Sequence, residues 1–403
     1  MRSRAVTPML LCLLLGTVPA SCAGEAPAAQ PDTSAAPSTI AAGTLPSSPS
    51  ITVPLPTDSP STVAPTSPKP TAIECVATLP IAVRAGQVVW PAVYGDELRR
   101  RAAEFADWGV GGAVLMNWTS GSTAADLSAL KTAGSLPLLI ATDEEGGTVQ
   151  RLDSLGALPS ATKAGASMTA AEVEQLITRH AVAVRALGID IVFAPVVDVG
   201  PPAGTGPIGS RVYGNDPAVV SDMAAAVVRG WQSVGILPVL KHFPGHGSAS
   251  ADTHDRGATT APLDALRARD MLPYAALATT GAAVMVGHLD VPGLTDAEGV
   301  PASLSRAAIT DLLRGEYGYA NALVFTDALG MKAVTNNFSV SEAAERAIGA
   351  GADVVIFVNT DDTDLVIERL VDAVATGRLS AARLDDAVAR VLATKHIDPC
   401  SLL

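Results

Sequence analysis

The chain is 403 residues long and carries 40 Asp and Glu against 27 Lys and Arg, a formal net charge of −13. That excess of negative charge, with no basic run long enough to bind acidic lipid heads, argues against nucleic acid or an anionic membrane surface as a partner. The 4 cysteines lack metal-ligand spacing, so no metal and no other cofactor is expected.

Composition divides the chain unevenly. Arg2 and Arg4 precede the apolar run Met9 to Leu15, and small residues follow up to Cys22. This is the pattern of a secretory signal, too short to span a membrane. Its end, Val18-Pro19-Ala20-Ser21-Cys22, resembles the lipobox of bacterial lipoproteins, which implies lipidation of Cys22 and anchoring to the outer face of the cell membrane. Pro19 departs from the usual aliphatic residue, so cleavage after Ala23 with plain secretion is the alternative. Residues 23–70 are almost wholly Ala, Pro, Ser, Thr and Gly, with too little apolar bulk to repay the entropy of folding. They read as a tether, and a glycosylated stalk would have the same composition.

From residue 71 onward, apolar runs alternate with segments of helical periodicity. The expected strands are Gln87 to Trp90, Ala113 to Met116, Leu136 to Ala141, Ile191 to Ala194, Ile236 to Leu240, Ala283 to Val286, Ala322 to Phe325 and Val354 to Phe357. Helices are expected over Glu97 to Trp108, Ala171 to Leu187, Ala218 to Val234, Leu263 to Ala276 and Ser341 to Ala350. Eight strand-helix units predict an α/β fold, a (β/α)8 barrel over residues 71–403. A doubly wound open sheet has the same alternation, and only the placement of polar residues separates the two. Asp143 follows the third strand, Arg211 the fourth, Lys241 to His254 the fifth, His288 the sixth and Asp327 the seventh. Side chains after five consecutive strands converge only if those strand ends form a ring.

The densest chemical cluster is Lys241-His242-Phe243-Pro244-Gly245-His246-Gly247, followed by Asp252-Thr253-His254. Pro244 and the two glycines forbid a helix, so these polar side chains are expected on a sharply turning loop above the fifth strand. The cluster, with Asp143-Glu144-Glu145-Gly146-Gly147, Ile208-Gly209-Ser210-Arg211 and Phe325-Thr326-Asp327-Ala328-Leu329-Gly330-Met331 in the same order, resembles the β-N-acetylglucosaminidases of glycoside hydrolase family 3. The likeness runs from about Gly86 to Thr394 and implies the barrel fold in its single-domain form.

The resemblance also implies roles. Asp327, at the end of the seventh strand, matches the nucleophile that forms a covalent glycosyl-enzyme; its bland reading is a helix N-cap. His254 matches an unusual proton donor, an imidazole in place of a second carboxylic acid, and Asp252 would orient it. Asp143, Arg151, Arg211, Lys241 and His242 match the residues that hold the terminal GlcNAc, where charge-assisted hydrogen bonds grip neutral hydroxyls. Otherwise they are a ring of salt bridges at the barrel mouth. Asp143-Glu144 belongs to this binding word rather than to a substrate-assisted catalytic pair. His246 is expected to shape the loop, and His288 receives no role.

The expected function is therefore a retaining exo-β-N-acetylglucosaminidase, a monomer that acts on GlcNAc oligosaccharides or muropeptides in cell-wall recycling. A phosphorylase is the alternative enzyme, since a histidine donor does not repel phosphate, and a sugar-binding lipoprotein is the non-enzymatic one. Finally, Cys75 and Cys400 lie just outside the first and last expected elements. A barrel sets its first and eighth units side by side, so a disulfide between them is expected in an exported protein.

Overall fold

The structure, a computed structural model, describes residues 70–402 apart from 119–120, 202–204, 296 and 298. The expectations for the signal segment, for Cys22 and for the tether up to residue 69 lie outside the described residues.

Eight parallel strands are arranged in a ring. They are β1 (Val89–Val93), β2 (Gly112–Leu115), β3 (Leu139–Thr142), β4 (Ile191–Val192), β5 (Leu237–Phe243), β6 (Ala283–Val286), β7 (Val324–Thr326) and β8 (Val355–Phe357). From β1 to β7 each pairs with the next in chain order, and β8 pairs with β1. The remaining seam, between β7 and β8, is held by the bridge from Phe325 to Val354 and by hydrogen bonds such as Thr326 N to Val354 O at 3.0 Å. The sheet is thus a nearly closed barrel, and the open doubly wound arrangement is excluded.

Period-two alternation along each strand builds two cores. Trp90, Val114, Ala141, Phe193, Val239, Met285, Phe325 and Ile356 fill the barrel interior. Their neighbours Val89, Leu115, Ile140, Val192, Leu240, Val284, Val324 and Val355 face the surrounding helices. Inside, Phe325 meets Trp90 and Phe193 edge-on, each at 5.4 Å between ring centroids. Gly112 leaves the space that Trp90 needs, because a Cβ there would lie 2.6 Å from the indole.

The helices start and stop where their caps dictate. Thr169 and Glu172 form a capping box ahead of Ala170–Leu187, and Gly188 ends that helix in the left-handed region at φ 98°. Asp216 caps Pro217–Gln232, with proline in its first turn.

Several boundaries differ from expectation. Gln87 closes the helix Ile81–Gln87, and β1 runs past Pro91 to Val93, because one forgone ladder bond does not end a strand that stays paired on both sides. The segment from Leu263 breaks into Leu263–Ala268 and Leu272–Leu277, since Pro273 cannot continue a helix and opens a new one. β5 extends through Lys241, His242 and Phe243, so these residues belong to the strand rather than to a loop above it.

The ends of the barrel domain meet. Cys75, in the helix Ala72–Ala77, and Cys400, in the 3-10 turn Pro399–Leu402, have Cα atoms 5.0 Å apart and their sulfurs are joined.

Candidate active site

The alternation that fills the barrel also builds the site. Two residues beyond each interior core position the strand faces inward again, now at the C-terminal mouth. Those positions include Ala92, Met116, Asp143, Lys241, Asp327 and Val358, and all six line one pocket of about 140 Å³. Its floor is the top of the interior core, Val114, Phe193, Met285 and Ile356. Arg151, Arg211, His242 and His254 complete the polar wall. Every expected binding residue, with Asp327 and His254, is therefore on a single cavity, and Asp252 stands directly behind His254.

Charge is matched inside the wall. Buried Lys241 places Nζ 2.6 Å from Asp143 Oδ1 and 2.6 Å from Glu145 Oε1. Arg211 donates through Nε and Nη2 to the two oxygens of Glu145, each at 2.8 Å. Burial opposes the charge on Glu145, yet Lys241 and Arg211 hold its carboxyl at about 2. Burial likewise works against the Lys241 ammonium, and Asp143 and Glu145 more than offset it, so its pKa is raised. Arg151 is the outer member, with Nη2 3.7 Å from Asp143 Oδ2, delivered by the antiparallel pair Glu144–Gly146 and Val149–Gln150.

His242 is fixed on both ring nitrogens. Arg211 Nη2 lies 3.2 Å from Nε2, and Asp198 Oδ2 lies 2.7 Å from Nδ1. A guanidinium only donates, so Nε2 accepts and Nδ1 donates to Asp198. Asp198 also accepts the His246 amide at 2.6 Å and thereby ties the loop after β5 to the barrel.

The catalytic candidates differ in their surroundings. Asp327 receives the Ala328 amide on Oδ1 at 2.8 Å, and its own amide donates to Val286 O at 3.0 Å. Burial would raise its pKa, but the His242 and His288 imidazoles, the Ala328 amide and Lys241 hold it far below the usual carboxylate range. These neighbours favour its carboxylate form. His288, given no role from sequence, is buried and fastens this turn through Nδ1 to Ser303 Oγ (2.7 Å) and Nε2 to Ala328 O (3.0 Å).

His254 is exposed, and its Nδ1 lies 2.8 Å from Asp252 Oδ1, which also accepts the His254 amide at 2.9 Å. Burial raises the Asp252 pKa, but the His254 amide and ring together hold it below its ordinary value. Nδ1 is thus committed and Nε2 is the atom left for chemistry. Thr253 pins the loop from both sides, through His246 Nε2 to its hydroxyl at 3.1 Å and through Ala333 N to its carbonyl at 3.2 Å.

A family model described as the glycosyl hydrolase family 3 N terminal domain matches residues 83–394. The chain belongs to glycosyl hydrolase family 3. A protein named beta-hexosaminidase LpqI from Mycobacterium tuberculosis is 46% identical over 274 residues, 66% of this chain and 70% of its own length. Among solved structures, a family 3 glycosyl hydrolase from Mycobacterium smegmatis superposes with a TM-score of 0.74 at 41% identity, covering 79% of this chain and 98% of that one. A family 3 β-N-acetylglucosaminidase from Paenibacillus gives a TM-score of 0.72 at 32% identity, covering 79% of this chain and 62% of that one.

Two residues of this family 3 site escaped the sequence reading. Glu145 was grouped with Glu144, yet strand parity separates them. Glu145 turns to the pocket residues Lys241 and Arg211, whereas Glu144 turns away to His180 Nε2 at 2.7 Å and to the Leu152 amide at 3.0 Å. Asp198 gave one signal, a lone carboxylate inside the apolar stretch Ile191 to Val199. A charge buried in such a run needs partners, and His242 and His246 supply them.

Proposed function

We propose that this family 3 chain is a retaining exo-β-N-acetylglucosaminidase that releases terminal GlcNAc from cell-wall fragments or chitooligosaccharides. One observation carries the reading: an ionised carboxylate, Asp327, and an imidazole backed by a carboxylate, His254 with Asp252, share one pocket with the cations and carboxylates that can grip sugar hydroxyls. The floor of strand side chains closes that pocket from below, so a chain end enters and a chain middle does not. The names of its relatives support the same substrate class.

In the first half of the reaction Asp327 attacks C1, the C1–oxygen bond breaks, and the departing oxygen takes the proton from His254 Nε2. In the second half the neutral imidazole takes a proton from water, whose oxygen attacks C1 and frees the Asp327 carboxylate. Asp252, on Nδ1, holds the ring in place throughout. Lys241, Arg211, Asp143 and His242 bind and orient the sugar.

Phosphorolysis is the second reading, favoured by the imidazole donor, which spares an incoming phosphate the repulsion of a carboxylate acid. Product analysis with a chromogenic GlcNAc glycoside, with and without phosphate, decides between them. Free GlcNAc formed at a rate indifferent to phosphate supports hydrolysis; accumulation of GlcNAc 1-phosphate replaces it by phosphorolysis; tight binding without turnover leaves a sugar-binding protein. Export and lipid anchoring through Cys22 belong to the same proposal. The mass of the mature N-terminal peptide from the membrane fraction tests them, and an unmodified Cys22 overturns the anchor.

A further inference from the structure

His254 and Asp252 form a pair that is complete within its own loop. Asp252 Oδ1 holds the His254 ring at 2.8 Å and the His254 amide at 2.9 Å, and the Asp252 carbonyl accepts the amides of Asp255 and Arg256. All of these bonds begin and end within residues 252–256. They orient the imidazole inside the loop and leave open where the loop stands above the barrel. A proton donor that must meet a departing oxygen needs that second coordinate as well.

Thr253 supplies it. This residue lies between the two members of the pair and is buried, whereas His254 is exposed. Among the described residues, Thr253 makes the only hydrogen bonds that join 252–256 to the rest of the chain. Its carbonyl accepts the amide of Ala333 at 3.2 Å, in the short helix Lys332–Thr335 that follows Asp327. Its hydroxyl meets His246 Nε2 at 3.1 Å, the only bond that the buried His246 ring makes among the described residues. His246 in turn gives its amide to Asp198 Oδ1 at 2.6 Å, and the other oxygen of Asp198 holds His242 Nδ1 at 2.7 Å. One unbroken path therefore leads from the histidine that grips the sugar, through Asp198, His246 and Thr253, to the loop that carries the proton donor.

Resting on the glycosidase reading, we infer that Thr253 and His246 are positioning residues that set His254 in register with the bound sugar. Neither lines the pocket, so they act through His254 rather than on the sugar. Their bond matters where the proton of His254 is moving, and its loss should raise only the barriers that depend on the acid. A merely structural role would lower all rates together.

The test measures kcat/KM, which reports the glycosylation half alone, on two substrates. They are the β1,4-linked GlcNAc disaccharide, whose leaving sugar needs a proton, and the dinitrophenyl glycoside of GlcNAc, whose leaving group does not. Thr253→Val keeps the bulk and loses the hydroxyl, and His246→Leu removes the same bond from its other end. Each should lose about ten-fold on the disaccharide, the effect of one buried hydrogen bond, and no more than about two-fold on the dinitrophenyl glycoside. The double variant should lose no more than the single ones, since both remove one bond. Thr253→Ser, which keeps the hydroxyl, should stay within about two-fold of the wild type on both substrates. Melting curves show whether each variant is folded, and if one of the two is not, the other reads the same bond. Equal losses on the two substrates, losses that multiply in the double variant, or a Thr253→Ser as impaired as Thr253→Val overturn the positioning role. A wild type inactive on both glycosides sinks the glycosidase reading itself, a result distinct from these.

Discussion

Two residues on one pocket are assigned opposite chemistry because their surroundings differ. Against the effect of burial, the His242 and His288 rings, the Ala328 amide and Lys241 lower the pKa of Asp327, whereas His254 is exposed and hydrogen-bonds only Asp252 among the described residues. Asp327→Asn should therefore abolish turnover on every leaving group, and mass spectrometry of enzyme trapped with a slow fluorosugar should find the label on Asp327. His254→Ala should lose about 10²- to 10⁴-fold on poor leaving groups that need a proton and much less on activated aryl glycosides. Equal losses on both classes would remove His254 from the acid role. Glu145 acts through others, since it never faces the sugar alone but neutralises Lys241 and Arg211. In Glu145→Gln those cations lose a buried partner, so KM should rise about ten-fold or more while the leaving-group dependence stays that of the wild type. Steady-state kinetics on a substrate series checks it, and an unaltered KM would show that Asp143 alone suffices.

Among the elements, the break in the helix after β5 has an energetic signature. Asp270 lies in the turn between Leu263–Ala268 and Leu272–Leu277, only 4% exposed, and a Cβ on Gly245 would come 2.7 Å from its own Cβ. The turn thus packs against the loop that leads to His254. Burial lifts the Asp270 carboxyl to about 6 from its ordinary value of 3.8, with Arg269 at 3.4 Å opposing only in part. The folded protein keeps this proton to higher pH than the unfolded chain does. Its stabilising share is complete below about pH 4, falls as pH rises, and is gone above about pH 6. Asp270→Asn, neutral throughout, should be more stable than the wild type by about 1–3 kcal/mol at pH 7 and no more stable at pH 4. Thermal melts across that range read the difference, and a constant offset at both pH values would contradict the assignment.

For the whole molecule, the relevant link is between the ends of the barrel domain. Cys75 and Cys400 are separated by 325 positions in sequence and by 5.0 Å between Cα atoms. A crosslink across so long a loop acts mainly by restricting the unfolded chain and contributes about 2–4 kcal/mol. Cys75→Ser with Cys400→Ser should lower the melting temperature by several degrees and leave kcat/KM unchanged, since neither residue lines the pocket. Non-reducing peptide mapping of the exported protein should recover the two as one crosslinked peptide. Two free, alkylatable thiols would refute the bridge and leave the catalytic assignment intact.

The sequence by itself determined the barrel, because eight apolar runs each followed by a helical period leave few architectures, and polar residues after five strands require a ring. It also determined which residues gather at the mouth, since Asp143, Lys241 and Asp327 each stand two places beyond an interior core residue, Ala141, Val239 and Phe325. Local pattern sufficed there because strand parity is a local property. What the tertiary structure decided was pairing between strands. Nothing along the chain said that Glu145 would meet Lys241 and Arg211, that Asp198 would hold His242 and His246, or that Thr253 would pin the His254 loop. These contacts join residues distant in sequence, and a buried charge takes its partner from whichever strand the closed barrel sets beside it.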